Sequence, residues 1–143
     1  MLYFEDLDIG HSESSRPTQL TEAEIIEFAT RFDPQPFHVD ERAAEKSIFG
    51  GLTASSCHVI AVAFSLFQDL PKIAMLAGLG HEFRYPNPVR PGQAFRLLSE
   101  VAEKRESRSK PDRGIVIQQS RLITDEGAVV LEIKSTIMVA KRA

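Results

Sequence analysis

The order of hydrophobic and polar residues changes its period once, from a helical period in the first half of the chain to alternation in the second. In the first half, four apolar residues recur at the spacing of one helical face: Ile25, Phe28, Ala29 and Phe32. Thr21 precedes this face and Glu24 lies three residues further on, which is the arrangement of a capping box at a helix N-terminus. The pattern therefore predicts a helix that ends at Asp33.

Two further helices are predicted before the alternating half begins. Asp40 can cap a short helix over residues 41–46. Either Ser55 or Ser56 can cap the next helix, whose residues 59–67 are apolar on almost every side. A helix with no polar face is expected to be buried on most sides. The sequence therefore predicts a central, largely buried helix in the middle of the chain.

After Gly78 the pattern alternates with a period of two, as expected for half-buried strands. Four sets of residues form the predicted strands: His81, Phe83 and Tyr85; Phe95, Leu97, Ser99 and Val101; residues 115–124; and Val129, Leu131, Ile133, Ile137 and Val139. Residues 13–20 could form an earlier strand, residues 104–114 a long charged connection and residues 125–127 a tight turn. Antiparallel strands that follow a buried helix predict an α+β fold in a single domain over residues 1–143.

Composition limits the classes of protein to which the chain can belong. With 143 residues, 43% of them hydrophobic and 26% charged, it is predicted to be an ordinary globular domain. Its net charge of −3 provides no basic field, so no nucleic-acid partner is expected. A single cysteine excludes an intramolecular disulfide and indicates a reducing compartment. Residues 1–6 lack a signal-peptide pattern and the apolar run 59–70 is too short to span a bilayer, so we expect a cytoplasmic protein without a membrane partner.

The segment Asp33–His38, with the sequence DPQPFH, has the clearest chemical content. Pro34 and Pro36 fix their own φ angles and disfavour helix at the preceding residues, which predicts a stiff, extended loop. Such a loop can hold the carboxylate of Asp33 and the imidazole of His38 around one water molecule. A well-placed acid or base typically contributes ~10²–10⁴-fold to a proton-transfer reaction. The spacing alone favours a structural role, in which Asp33 caps a helix end and His38 lies at the surface.

Further motifs accompany this segment. Together they comprise Asp33, Gln35, Pro36, His38, Asp40, Ala43-Ala44, Phe49-Gly50-Gly51, Thr53-Ala54-Ser55-Ser56 and Pro88-Val89-Arg90-Pro91-Gly92-Gln93. This set resembles the signature of the MaoC-like dehydratases, which include the (R)-specific enoyl-CoA hydratases. Gln35 stands where the family pattern has asparagine, Ser56 where glycine is common, and Phe64 about where some members have serine. The last two departures concern the acyl specificity more than the reaction.

The resemblance implies a hotdog fold, in which an antiparallel sheet wraps around a long central helix, and reversible hydration of a trans-2-enoyl-CoA to an (R)-3-hydroxyacyl-CoA. Asp33 and His38 would activate the water that adds to the β-carbon. The backbone N–H of Ser56, at the start of the central helix, would donate to the thioester oxygen, since helix N-termini carry unpaired N–H groups. Gln35 and Phe37 would contact the substrate.

The resemblance also implies what the protein binds. The substrate would be an acyl-CoA or acyl-carrier thioester, and no metal or separate cofactor would be needed, because coenzyme A enters as part of the substrate. The family usually pairs two chains edge to edge, so a homodimer or an assembly of dimers is expected.

Other functions remain open at the level of sequence. One is a hotdog acyl-CoA thioesterase, in which the carboxylate drives hydrolysis, and another is a non-catalytic acyl-CoA-binding hotdog domain. A nucleophilic Cys57–His58 pair near a helix N-terminus is a third alternative, although adjacent helical residues point about 100° apart. Arg84, Arg90 and the basic residues of segment 104–113 are candidates for contacts with the phosphates of coenzyme A.

Overall fold

The computed structural model describes residues 1–143, and its main feature is a five-stranded antiparallel sheet with the strand order β1-β3-β4-β5-β2. The strands are β1 (Ser12–Ser14), β2 (Met75–Arg84), β3 (Phe95–Glu106), β4 (Arg113–Thr124) and β5 (Val129–Ala140). The helices are α1 (Glu22–Phe32), α2 (Pro36–Val39), α3 (Glu41–Glu45) and α4 (Ser56–Leu66). Short 3-10 turns cover Phe4–Asp6 and Phe67–Asp69. The predicted α+β class is confirmed.

Helix α1 begins and ends where its sequence predicts. The side chain of Thr21 accepts the N–H of Glu24 at 3.1 Å, and the N–H of Thr21 donates to the Glu24 carboxylate at 3.2 Å, so the predicted capping box is present. Asp33 is the C-cap of the helix, as predicted. Of the predicted apolar face, Ile25 is fully buried but Phe32 is exposed, because the last turn extends beyond the core.

The starts of α3 and α4 are also confirmed. A carboxylate oxygen of Asp40 accepts the N–H of Ala43 at 3.0 Å, which caps α3. Ser55 rather than Ser56 caps α4, and its hydroxyl oxygen accepts the N–H of Cys57 at 3.2 Å. The start of α4 lies in the segment that later contributes to the candidate site.

The core forms where α4 packs on one face of the sheet. The four residues predicted to alternate in β3 are all buried: Phe95, Leu97, Ser99 and Val101. Helix α4 contributes Val59, Ala63 and Leu66 to the hydrophobic cluster that contains Phe95 and Leu97. Burying a Val, Leu or Phe side chain stabilises the folded state by about 1.5–3 kcal/mol each, so this face fixes the helix relative to the strands.

The sheet differs from the prediction at its ends. Strand β3 continues to Glu106 and β4 begins at Arg113, so the hairpin connection covers 107–112 instead of 104–114. The charged residues can remain in the strands because backbone pairing continues through them while their side chains reach solvent. The first strand covers only Ser12–Ser14, not residues 13–20.

The prediction that α4 is buried on most sides is wrong for one face. Ala61 and Phe64 are exposed there, because the sheet covers only the opposite side of the helix. Strand β2 begins at Met75, before Gly78, and it too exposes apolar side chains, with Leu76 and Leu79 each 51% accessible. An apolar helix face and an apolar edge strand are thus both left uncovered.

We expect the Gly114→Ala substitution to destabilise the protein. A Cβ at Gly114 in β4 would clash with the ring of Phe4, which packs in a second hydrophobic cluster against the sheet. Overpacking of this kind typically costs about 1–3 kcal/mol. The free energy of unfolding in urea measures the effect. A free energy of unfolding equal to that of the wild type would contradict the prediction.

Candidate active site

Asp33 is positioned by the end of helix α1. Its backbone N–H donates to the carbonyl of Ala29 at 2.8 Å, and its φ and ψ angles of −158° and 68° leave the helical region. The following Pro34 explains this exit, because a proline disfavours helix at the residue before it. The side chain of Asp33 is 27% exposed, so the carboxylate lies at the edge of the core with access to solvent.

His38 lies on the single turn of helix α2. Gln35 is extended, as its neighbouring proline predicts, but Pro36 occupies the first turn of α2, so the segment is not an extended loop as far as His38. The reason is that proline has the φ angle of a first helical residue and loses no hydrogen bond there. This turn directs the imidazole inward, where its side chain is only 9% exposed.

The imidazole of His38 has a defined orientation. Its Nδ1 lies 2.6 Å from the backbone carbonyl oxygen of Thr53, which can only accept a hydrogen bond. Nδ1 therefore carries the hydrogen, and in the neutral ring Nε2 has the free lone pair. Nε2 lies 3.6 Å from Oδ2 of Asp33. This distance is too long for a direct hydrogen bond but allows both groups to contact one water molecule.

Ser55 connects the Asp33 carboxylate to the start of helix α4. Its hydroxyl donates to Oδ2 of Asp33 at 2.7 Å and accepts the N–H of Cys57 at 3.2 Å. The residue is completely buried. A bond between a hydroxyl and an ionised carboxylate is stronger than one between neutral groups. The sequence indicated Ser55 only as a cap, and no sequence signal pointed to its contact with Asp33, 22 residues away.

The first turn of α4 supplies a backbone donor beside these side chains. Ser56 is the first residue of the helix, and its N–H has no acceptor among the protein atoms. Unpaired N–H groups at a helix start carry a partial positive charge. Ser56 also lines the cavity beside His38, so its N–H is available to an electron-rich atom bound there.

A cavity of about 310 Å³ lies next to His38. Its lining includes the following residues: Phe37, His38, Phe49, Thr53, Ala54, Ser56, Val59, Tyr85, Pro86, Asn87, Pro88, Val89 and Val130. Most of these side chains are apolar, which suits a hydrocarbon chain with few polar groups at one end. Phe37 lines the cavity, whereas Gln35, predicted to contact the substrate, is exposed and does not line it. The reason is that Gln35 precedes the α2 turn and points away from the core.

The other candidate residues lie apart from this cavity. Cys57 is exposed, while the ring of His58 is buried and stacks on Phe28 with a centroid distance of 4.4 Å. The two side chains therefore form no nucleophilic pair. Burial lowers the pKa of His58 below its usual value, and the charge of Glu24 only partly opposes this shift, which favours the neutral ring.

Among the basic candidates, Arg90 donates to the backbone carbonyls of Gly51 and Phe49. Lys104 donates to the carbonyl of Phe4, and Arg113 pairs with Asp112.

No group of three or more His, Cys, Asp or Glu residues could hold a metal ion. None of the helices has both the length and the apolar character needed to cross a membrane.

Comparisons with known proteins identify the family and the fold of the chain. Residues 9–120 match the family model described as MaoC like domain. The MaoC-like dehydratase from Rhodospirillum rubrum is 39% identical, with a TM-score of 0.95, and the alignment covers 100% of this chain and 99% of that one.

Two more distant structures share the fold. The unliganded (R)-hydratase PhaJ1 from Pseudomonas aeruginosa is 22% identical, with a TM-score of 0.75, and the match covers 98% of this chain and 86% of that one. A Mycobacterium tuberculosis protein described as having a double hotdog fold is 19% identical, with a TM-score of 0.79, over 99% of this chain and 44% of that one. At these identities the likeness concerns the fold alone, which is the hotdog fold.

Proposed function

Because the chain belongs to the family of MaoC-like domains and has the hotdog fold, we propose that it is a hydro-lyase that adds water to the double bond of a 2-enoyl thioester. The observation that supports this most directly is that Nε2 of His38 lies 3.6 Å from Oδ2 of Asp33. The side chain of His38 lines the apolar cavity, whereas Asp33 lies next to His38 outside the lining. The proposed product is an (R)-3-hydroxyacyl thioester. The substrate is proposed to be carried by coenzyme A, so no resident cofactor is required.

The proposed reaction uses these groups in two steps. Nε2 of His38 accepts a proton from a water molecule that Asp33 also holds, and the water oxygen forms a bond to the β-carbon. The electrons of the double bond move towards the thioester carbonyl, whose oxygen gains negative charge. The proton held on Nε2 of His38 is then delivered to the α-carbon, which returns the imidazole to its neutral form, while the carbonyl re-forms and the thioester bond remains intact. Acid–base groups at hydrogen-bonding distance from a shared water are the usual requirement for such a reaction.

The N–H of Ser56 is proposed to stabilise the charge on the thioester oxygen. A fixed donor in a water-poor site needs no reorganisation during the reaction, and losing one such donor typically costs ~2.7–4 kcal/mol of transition-state stabilisation. The partial positive charge at the start of α4 acts in the same direction. A backbone donor also explains how serine can occupy a position where the family often has glycine, since both residues provide an N–H.

The test is a hydration assay on the purified protein with crotonyl-CoA and with longer enoyl-CoA substrates. Hydration should remove the absorbance of the conjugated enoyl thioester while releasing no free thiol. A thiol-trapping reagent in a parallel reaction identifies hydrolysis instead. Release of thiol would replace the proposal with a thioesterase, and tight binding of every chain length without turnover would replace it with an acyl-CoA-binding domain.

We also propose that the protein forms a homodimer through β2. This strand is one of the two edges of the sheet, and it exposes Met75, Leu76 and Leu79, which is unusual for an edge that remains open to solvent. Leu79→Arg is expected to convert an assembly of at least twice the 15.9 kDa chain mass into a monomer. Size-exclusion chromatography with light scattering measures the mass. The control is Ile48→Arg, because the side chain of Ile48 is equally apolar and 96% exposed but lies outside this edge. A wild-type protein that is monomeric would contradict the proposal.

A further inference from the structure

Arg90 forms a bridge between two turns, and its neighbour Val89 and its partner Phe49 line the cavity. It lies in the turn after β2, where its own N–H donates to the side-chain carbonyl of Gln93 at 3.2 Å. Its guanidinium reaches across to the segment before α4, with Nη1 donating to the carbonyl of Gly51 at 3.0 Å and Nη2 donating to the carbonyl of Phe49. Two donors of one rigid, planar group therefore hold two carbonyls of the same short segment.

The partners of Arg90 are unusual for a cation. None of the ion pairs in the structure involves this guanidinium, and its side chain is directed to backbone carbonyls instead. Arginine can do this because its five N–H donors lie in a fixed plane, whereas the ammonium of lysine is a compact point charge. The geometry therefore indicates a role in holding the chain, and not mainly in presenting a charge to a ligand.

The segment held by Arg90 carries two features of the candidate site. The ring of Phe49 packs on that of Phe37 with a centroid distance of 5.1 Å, and both rings line the cavity. Thr53 follows shortly after, and its carbonyl is the acceptor that fixes Nδ1 of His38. The N–H of Thr53 is held in turn by the carbonyl of Phe37 at 3.2 Å. A displacement of this segment would therefore change both the cavity wall and the orientation of the imidazole.

We propose that Arg90 is a positioning residue that acts through segment 49–53 on His38 and on the aromatic wall of the cavity. This inference rests on the proposed hydratase function for its effect on turnover, but the bridge itself can be tested without any substrate. Misplacement of a reacting group by about 1 Å can cost ~10²-fold in rate. A partial release of the segment is accordingly expected to lower kcat/KM by at least about tenfold.

The first experiment measures amide hydrogen exchange in the wild type, Arg90→Met and Arg90→Lys. The N–H groups of Gly50 and Thr53, which bond within or beside the segment, are expected to exchange about tenfold faster or more in both variants. Arg42→Met, at an exposed arginine on the neighbouring helix α3, should leave these rates unchanged. Protection of the amides that pair β3 with β4 checks that the fold is intact. Unchanged exchange of Gly50 and Thr53 in both Arg90 variants would overturn the proposal.

The second experiment distinguishes a bridge from a phosphate contact. Crotonyl-CoA and the crotonyl thioester of N-acetylcysteamine, which has no phosphate, are compared as substrates. If Arg90 acts as a bridge, Arg90→Met should lower kcat/KM equally with both thioesters, and part of the loss should appear in kcat. Arg90→Lys should not restore the activity. A loss confined to crotonyl-CoA, restored by lysine, would show that Arg90 binds phosphate. A wild-type protein that hydrates neither thioester would contradict the proposed function, while the exchange rates would still decide the role of Arg90.

Discussion

Replacing His38 by alanine is expected to lower kcat for enoyl-thioester hydration by about 10²–10⁴-fold, the usual contribution of a positioned acid–base group. The physical reason is that Nε2 carries the basic lone pair next to Asp33, and its orientation is fixed by the bond from Nδ1 to the carbonyl of Thr53. Steady-state kinetics with crotonyl-CoA measures the loss. The imidazole is buried, so the melting temperature must be recorded in parallel to separate lost chemistry from lost folding.

Two comparison variants make the His38 result specific. His11→Ala removes another imidazole, one that lies far from the cavity and pairs with Glu13, and it should retain wild-type turnover. His38→Gln keeps a polar side chain of similar reach but provides no basic nitrogen, and it should lose activity as severely as the alanine variant. Retention of more than about a tenth of the wild-type kcat in a folded His38→Ala protein would be incompatible with the proposed mechanism, because the expected loss is at least ~10²-fold.

The Asp33→Asn substitution is expected to cost about 10²–10⁴-fold in kcat with little loss of stability. The amide oxygen of asparagine can still accept the hydroxyl hydrogen of Ser55, so the local geometry is retained while the negative charge is lost. Kinetics and thermal unfolding of the same preparation measure the two effects. A folded Asp33→Asn protein with wild-type turnover would remove the carboxylate from the mechanism.

Ser55→Ala provides the opposite comparison. It leaves the charge of Asp33 in place but removes the hydroxyl that holds the carboxylate and caps α4. Loss of a helix N-cap typically costs about 0.5–2 kcal/mol of stability. We therefore expect Ser55→Ala to be less stable than Asp33→Asn but more active. Wild-type turnover and wild-type stability in Ser55→Ala would mean that Ser55 neither positions the acid nor stabilises the start of α4.

The features that could be predicted from sequence are those determined by near neighbours. The capping box of Thr21 and Glu24 and the alternation in β3 depend on residues within one turn or one strand, and each appears where its pattern indicates. Asp33 and His38 could be selected as a pair because the resemblance linked them, and the structure brings their side chains within 3.6 Å. Their catalytic roles remain predictions.

The features that could not be predicted depend on contacts between distant segments. Ser55 meets Asp33 only because α1 ends beside the start of α4, and Arg90 meets Gly51 only because two turns converge, 39 residues apart in sequence. The exposure of Phe64 had a different cause. An apolar side chain indicates that a surface should be covered, but one chain does not reveal whether its own sheet or a second molecule covers it.

The acceptor that orients His38 belongs to the main chain, and this affects how the site can change during evolution. The hydroxyl of Thr53 also lies 3.3 Å from Nδ1, but the nearer carbonyl oxygen belongs to the peptide unit, so a substitution such as Thr53→Ser leaves the imidazole with its main-chain partner. An insertion or deletion between α3 and α4 would instead move that oxygen along the chain and leave the ring without it. The length of this connection, more than the side chain at position 53, is therefore the property that selection must preserve.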